Sequence, residues 1–331
     1  MSFKDVIGQA GAITFLKAAF SSGRIAHAYV FVGPEGIGKR KAALNFAKLL
    51  LCEKPLGSEP CDSCVSCLKA GATAAAASGA SNHPDIQEVS PEGQVIKIDA
   101  IREACRRLSL RGFESLFKIL IVTKAGALND ESSNALLKTL EEPTANTVII
   151  LLADTLKSVL PTIASRCQRV VFSSLKQEVI ESILIKQWGA SPEAATYLSL
   201  ISEGSLGSAL KFHEDGLFLR KNEMIKNALD RNCGLDVFLD LSSKERQDRQ
   251  ENIKEVLFVL SSWFRDLLLA KIESRSFINV DKEDDIMRDA HSFSFAEIED
   301  RLVSIADAAR DLKRNSNARI ALTKMRVELW K

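Results

Sequence analysis

The sequence predicts an α/β domain built on a parallel, doubly wound sheet, followed by two all-α domains. Three observations carry that reading. An unbroken apolar run at 29–32, the mark of a strand covered on both faces, leads into a glycine-rich turn and then a helical pattern. Four further apolar runs, at 86–89, 119–122, 148–152 and 170–172, are set apart by helical spacing or loops, the alternation of a parallel sheet. Beyond 172 no stretch reads as a strand.

The first helix follows from the spacing of Ile13, Leu16 and Phe20, with Ser21, Ser22 and Gly23 as its stop. The turn at 33–38 feeds a helix whose core face is Ala43, Phe46, Ala47 and Leu50. Asp99 begins another, carrying Arg102, Arg106, Arg107 and Arg111, a basic group that a solvated face explains more often than a DNA contact. The pattern at 175–188 predicts a helix ended by Gly189. Ser191 and Pro192 then open the next, in the N-cap and first-turn positions they favour. From about Gly216 a helical bundle is expected, with Ile253, Val256, Leu257, Leu260, Phe264 and Leu267 on one apolar stripe. The expected domains are 1–172, 173–215 and 216–331, with a cysteine module at about 52–67 in the first. The Ala-rich segment 70–80 reads as a loop.

Composition narrows the function. The chain has 331 residues, 46% hydrophobic and 26% charged, which excludes a disordered protein. Lys plus Arg number 44 against 43 Asp plus Glu, a net charge of +1, so contact with DNA is expected to be local or shared with partners. No apolar run nears the roughly 18 residues that span a bilayer, and the start of the chain lacks an export pattern. A cytoplasmic protein with no membrane partner is expected.

GPEGIGKR, at 33–40, fits the phosphate-loop pattern GxxxxGK in its required setting, after a strand and before a helix. Gly33 and Gly38 let backbone N–H groups curl round a phosphate, and Lys39 is placed to reach its outer oxygens. The next residue in such loops carries a hydroxyl for magnesium; here it is Arg40, which cannot ligate a cation. The strand at 119–122 ends in Thr123 and Lys124, where hydrolysis needs acids to hold magnesium and orient water. Nucleotide binding stays open, and hydrolysis is not expected. Cys52, Cys61, Cys64 and Cys67 have the spacing of a closed, structural zinc site, with two CxxC pairs overlapping on Cys64. Cys105, Cys167 and Cys233 read as isolated small residues, and His27, His83, His213 and His291 show no catalytic partnering.

These segments together resemble the AAA+ clamp-loader subunits of bacterial DNA polymerase III, most closely those of the delta prime type. The resemblance rests on VIGQ at 6–9, HAYVFVGPEGIGK at 27–39, the four cysteines, HPD at 83–85 and IDAIRE at 98–103. It continues through NALLKTLEEP at 134–143, LPTIASRC at 160–167 and NSNARIAL at 315–322. It implies a RecA-like nucleotide-binding domain with a zinc-binding insertion, a helical lid and a helical collar that joins five subunits in a ring. Partners implied are the gamma/tau motor subunits, the delta subunit, the sliding clamp and, through the complex, primer-template DNA. In such rings an SRC arginine, here Arg166, acts as a finger on a neighbour's ATP. A planar, permanently charged guanidinium can stabilise a transferring phosphoryl group from across an interface. The lid arginine of motor subunits falls on Gly207 in EGSLGSAL, at 203–210. Three hydrolytic parts are thus replaced while the finger is kept, the pattern of a subunit that braces the ring without turning over ATP. Two other readings compete: a gamma-type motor that hydrolyses ATP itself, and a zinc-dependent nucleic-acid-binding module.

Overall fold

A computed structural model of the chain describes residues 2–71, 81–110, 112–230, 246–313 and 316–329. Most of the Ala-rich segment, Arg111, Cys233 and Asn315 lie outside the described residues. The chain divides into two compact units, Met1–Leu175 and Lys176–Lys331.

The first unit is a three-layer α/β sandwich. Its strands are β1 (Ala28–Val32), β2 (Ile86–Val89), β3 (Lys118–Val122), β4 (Thr147–Ala153) and β5 (Gln168–Val171). All pair in parallel, in the order β2-β3-β4-β1-β5. Alternate strand residues face opposite layers. Tyr29, Phe31, Ile119, Ile121, Val148 and Ile150 pack with α1 (Ala10–Ser21) and α2 (Lys39–Leu51). Val30, Leu120, Val122, Ile149 and Leu151 pack with α4 (Ile98–Ser109) and α5 (Asp130–Glu141). Burying each such aliphatic side chain contributes about 1.5–3 kcal/mol, which is why continuous apolar runs, without alternation, mark these strands. Two short helices, α3 (Val65–Ala70) and α6 (Pro161–Ala164), complete the unit.

The apolar runs located every strand, with small differences at the ends. β5 begins at Gln168 because pairing with Tyr29 is made by backbone, whatever the side chain. Helix α4 begins at Ile98, not Asp99; Asp99 sits in the first turn, where a carboxylate faces the positive end of the helix.

The strand order places β1 between β4, which follows it late in the chain, and β5. The crevice at the C-terminal ends of these strands is the usual ligand position of an open parallel sheet. The phosphate-loop residues, Thr123, Lys124 and Asp154 all follow strand C-termini.

The second unit has helices and no strand among its described residues: α7 (Gln177–Trp188), α8 (Pro192–Ile201), α9 (Leu206–Glu214), α10 (Leu217–Leu229), α11 (Arg246–Lys271), α12 (Glu283–Ser292), α13 (Phe295–Lys313) and α14 (Ala318–Leu329). Gly189 ends α7 at φ 67°, and the Ser191 side chain caps α8 through the Ala194 amide. The predicted α11 stripe is buried throughout. Several buried polar groups inside this unit are matched. The Lys221 ammonium meets Asn279 and Asp281 and lies 4.4 Å from the centre of the Tyr197 ring. Asp266 accepts from the Ile278 and Asn279 amides. No helix among the described residues is long and apolar enough to cross a membrane.

Candidate functional site

The phosphate-loop pattern folds into a tight turn that only glycines allow at two points. Gly33 has φ 157°, and a Cβ there would lie 2.3 Å from the Phe172 carbonyl oxygen; Gly38, at φ 95°, is the N-cap of α2. The turn thus presents the N-terminus of α2, as a phosphate site requires. Its cations, however, point elsewhere. The Lys39 ammonium donates to the carbonyl oxygen of Gly33, to that of Pro34 at 2.9 Å and to Asp154 Oδ1 at 2.9 Å. Three acceptors match its three N–H groups, and its side chain is 9% exposed, so it reaches a phosphate only by giving these up.

Arg40, in place of the magnesium hydroxyl, donates from Nε to Glu88 Oε2 at 2.8 Å. At the end of β3, the Thr123 hydroxyl bonds Ser90 at 3.0 Å, and Lys124 reaches Glu35 of the loop at 3.2 Å. The carboxylates at this edge, Glu35, Glu88 and Asp154, are therefore each matched to a cation of the chain. What remains is a glycine turn at the start of α2, bordered by three ion pairs of the chain's own residues.

Arg166 is differently placed. It follows α6, with Nη1 donating to the Thr162 carbonyl at 2.8 Å and Nη2 2.7 Å from Glu141 Oε1 at the end of α5. Its side chain is 38% exposed.

At the opposite end of α2 the four predicted cysteines converge, with all Sγ atoms within 4.8 Å of one another. Cys52 is the C-cap of α2, and Cys64 the N-cap of α3, which carries Cys67 in its first turn. Backbone amides already point at the sulfurs: Cys61 N at Cys52 Sγ (3.3 Å), Cys64 N at Cys61 Sγ (3.3 Å) and Cys67 N at Cys64 Sγ (3.4 Å). A tetrahedral zinc with Zn–S near 2.3 Å sets sulfurs about 3.8 Å apart. Cys61 and Cys67 stand at 3.9 Å. The Ser63 amide and hydroxyl and the Cys64 amide hold the Cys61 thiol down to about 6, whereas burial raises Cys52 and Cys67. Donor type, number and spacing fit a metal ion that prefers soft ligands.

The HPD segment anchors this module to the sheet. Asp85 accepts from the Phe113, Glu114 and Ser115 amides at 2.7, 2.9 and 2.9 Å. The Asp85 amide donates to His83 Nδ1 at 3.1 Å, leaving Nε2 to face the Ser66 hydroxyl, also at 3.1 Å. Burial holds the His83 imidazole below its ordinary pKa. The arginines of α4 are spent on their own helix: Arg106 and Arg107 both bind Glu103 at 2.8 Å, as a solvated face would have them. Asp154, Glu88 and Glu141 complete the geometry without a motif that assigns them a role. Asp154 could have been sought as a charged residue directly after a central strand, but its partner lies 115 positions away.

The family model described as "DNA polymerase III, delta subunit" matches residues 8–176, about half of the chain. The chain is 38% identical over 176 residues to the DNA polymerase III subunit delta' of Bacillus subtilis (strain 168), an alignment that covers 53% of this chain and 50% of that protein. It is 32% identical over 237 residues to the DNA polymerase III subunit gamma of Buchnera aphidicola subsp. Schizaphis graminum (strain Sg), over 69% of this chain and 62% of that one. The chain thus spans half to three-fifths of the length of these relatives. A DNA polymerase III gamma subunit-related protein from Thermotoga maritima aligns with 96% of the chain, at 19% identity and a TM-score of 0.46.

Proposed function

Since the chain belongs to the DNA polymerase III delta-subunit family, among the clamp-loader subunits of bacterial DNA polymerase III, we propose that it is the subunit that braces the ring without hydrolysing ATP. Its first unit is read as an AAA+ domain, and its helical residues as a lid (173–215) and a collar (216–331). In this reading it works with gamma/tau motor subunits and a delta subunit while a sliding clamp is placed on primed DNA.

One observation carries the proposal: the cations beside its phosphate loop are bound to its own carboxylates, while Arg166 stands half-exposed at a surface. Hydrolysis at the loop would need a magnesium ligand at position 40 and acids at 123–124; an arginine, a threonine and a lysine supply neither. The pairing of Arg166 with the exposed Glu141 is of the weak surface kind, so a phosphate, which a guanidinium fork fits, can displace it. There it would stabilise charge developing on a neighbour's transferring phosphoryl group.

The four cysteines are proposed to hold a structural zinc, which supplies a crosslink between the C-terminus of α2 and the turn that follows. The Ser63 amide and hydroxyl and the Cys64 amide favour the thiolate at Cys61, and the Cys67 amide points at Cys64 Sγ, where a metal ligand would be held. The rival gamma-type reading predicts ATP turnover by the purified chain. Incubated with ATP and magnesium, the chain alone is expected to release no phosphate above background; steady turnover would overturn the proposal.

A further inference from the structure

Lys48 has no part in the phosphate loop, yet it is a lysine with a side chain only 5% exposed, on a helix that is buried almost all round. Lysines are seldom buried so deeply without a role for the charge. Its position is informative. It lies one turn before Cys52 on α2, and its ammonium pairs with Asp62. Asp62 stands between Cys61 and Cys64 and has φ 57°, a left-handed conformation that aspartate tolerates better than most residues. That conformation turns the chain so that the Cys64 amide meets Cys61 Sγ at 3.3 Å. Helix α2 therefore supplies Cys52 directly and, through Lys48 and Asp62, a fixed point for the turn bearing two more of the sulfurs. The same pairing has an electrostatic effect. Four thiolates round a divalent ion carry a net charge of minus two, and an unneutralised carboxylate in that turn would add to it.

We propose that Lys48 is a positioning residue of the four-cysteine metal site, acting on Cys61 and Cys64 through Asp62. This rests on the reading of those cysteines as a metal site. Outer contacts of this kind typically change metal affinity about 10- to 100-fold. Methionine nearly conserves the volume of the buried lysine stem, so Lys48→Met removes the charge with little cost to packing.

The test is a zinc competition titration of the full chain against a chromophoric chelator, comparing wild type, Cys64→Ser, Lys48→Met, Asp62→Asn, the double variant K48M/D62N and Lys118→Met. Lys118 is a second buried lysine of the same unit, bonded to the Leu110 carbonyl and to Thr144, and so controls for general destabilisation. Lys48→Met is expected to weaken zinc binding about 10- to 100-fold. The double variant should bind no more than about threefold worse than Lys48→Met, because the two residues act as one unit. Lys118→Met should stay within about threefold of wild type. Wild-type affinity in Lys48→Met, multiplying losses in the double variant, or an equal loss in Lys118→Met would each overturn the proposal while leaving the metal site standing. A wild type that takes up no zinc and matches Cys64→Ser would remove the metal site, and this inference with it.

Discussion

Two places in the first unit hold positive charge, and they hold it in opposite ways. At the phosphate loop, Lys39 is 9% exposed and encircled by Gly33, Pro34 and Asp154, while Arg40 is fixed on Glu88. At the end of α6, Arg166 is 38% exposed and meets a carboxylate that is itself half in water. Lys39 is directed inward with its donors used. Arg40 and Arg166 both reach the surface, but Arg40 is held by the nearly buried carboxylate of Glu88, whereas Arg166 is held by the Thr162 carbonyl and a carboxylate that is half in water. Cationic residues near a nucleotide fold therefore do not by themselves mark an active pocket. What matters is whether their hydrogen-bonding capacity is already used.

The largest expected effect comes from removing the outward charge. Arg166→Ala should slow ATP turnover at the one site it serves in the assembled complex by about 10³- to 10⁵-fold, the usual worth of an arginine finger. The isolated chain should not change, and the assembly should still form; native mass and turnover together check this.

A second test asks whether the framework of the phosphate loop depends on the cysteine module, because α2 joins the loop to Cys52. Cys64→Ser should lose about one equivalent of zinc. At free zinc near a thousand times its dissociation constant, the lost linkage is about 4 kcal/mol, to be read as a lower thermal midpoint in zinc-containing buffer only.

A smaller effect is expected from acid. Burial depresses the His83 pKa, so the unfolded state binds the proton at a higher pH than the folded one. Stability is then fully present above the ordinary histidine value of 6.5 and falls as pH drops from there towards the folded pKa. The slope is at most about 1.4 kcal/mol per pH unit. Hydrogen exchange at the amides of Phe113, Glu114 and Ser115, corrected for intrinsic rates in chelator-treated protein, should show that loss, and His83→Gln should flatten it.

The smallest expected effect is none. Arg40→Thr restores the hydroxyl but leaves Thr123 and Lys124 where acids are needed, so phosphate release should stay at background.

The contrast also separates what the sequence made legible from what it did not. Strands β1, β3 and β4 are read from apolar runs because both faces of a central parallel strand are buried. Lys118 breaks that pattern and is still buried in β3, since the carbonyls of Leu108 and Leu110 receive its amine. The cysteine cluster is legible because ligand spacing is a local property. Helix α3 is not, because its six residues are too few for periodicity to show and Cys64 caps its start. The replacements at Arg40, Thr123 and Lys124 can be read from the motif, but their capture by Glu88, Ser90 and Glu35 depends on pairings across the sheet edge. Spacing along the chain does not encode those.

The most direct measurement compares Lys39→Met with Arg166→Ala, each placed as the single change in an otherwise wild-type assembly with motor and delta subunits, and follows ATP turnover with clamp and primed DNA present. The account predicts turnover near wild type for Lys39→Met and a severe loss at one site for Arg166→Ala. The reverse result, a loss with Lys39→Met and none with Arg166→Ala, would contradict it.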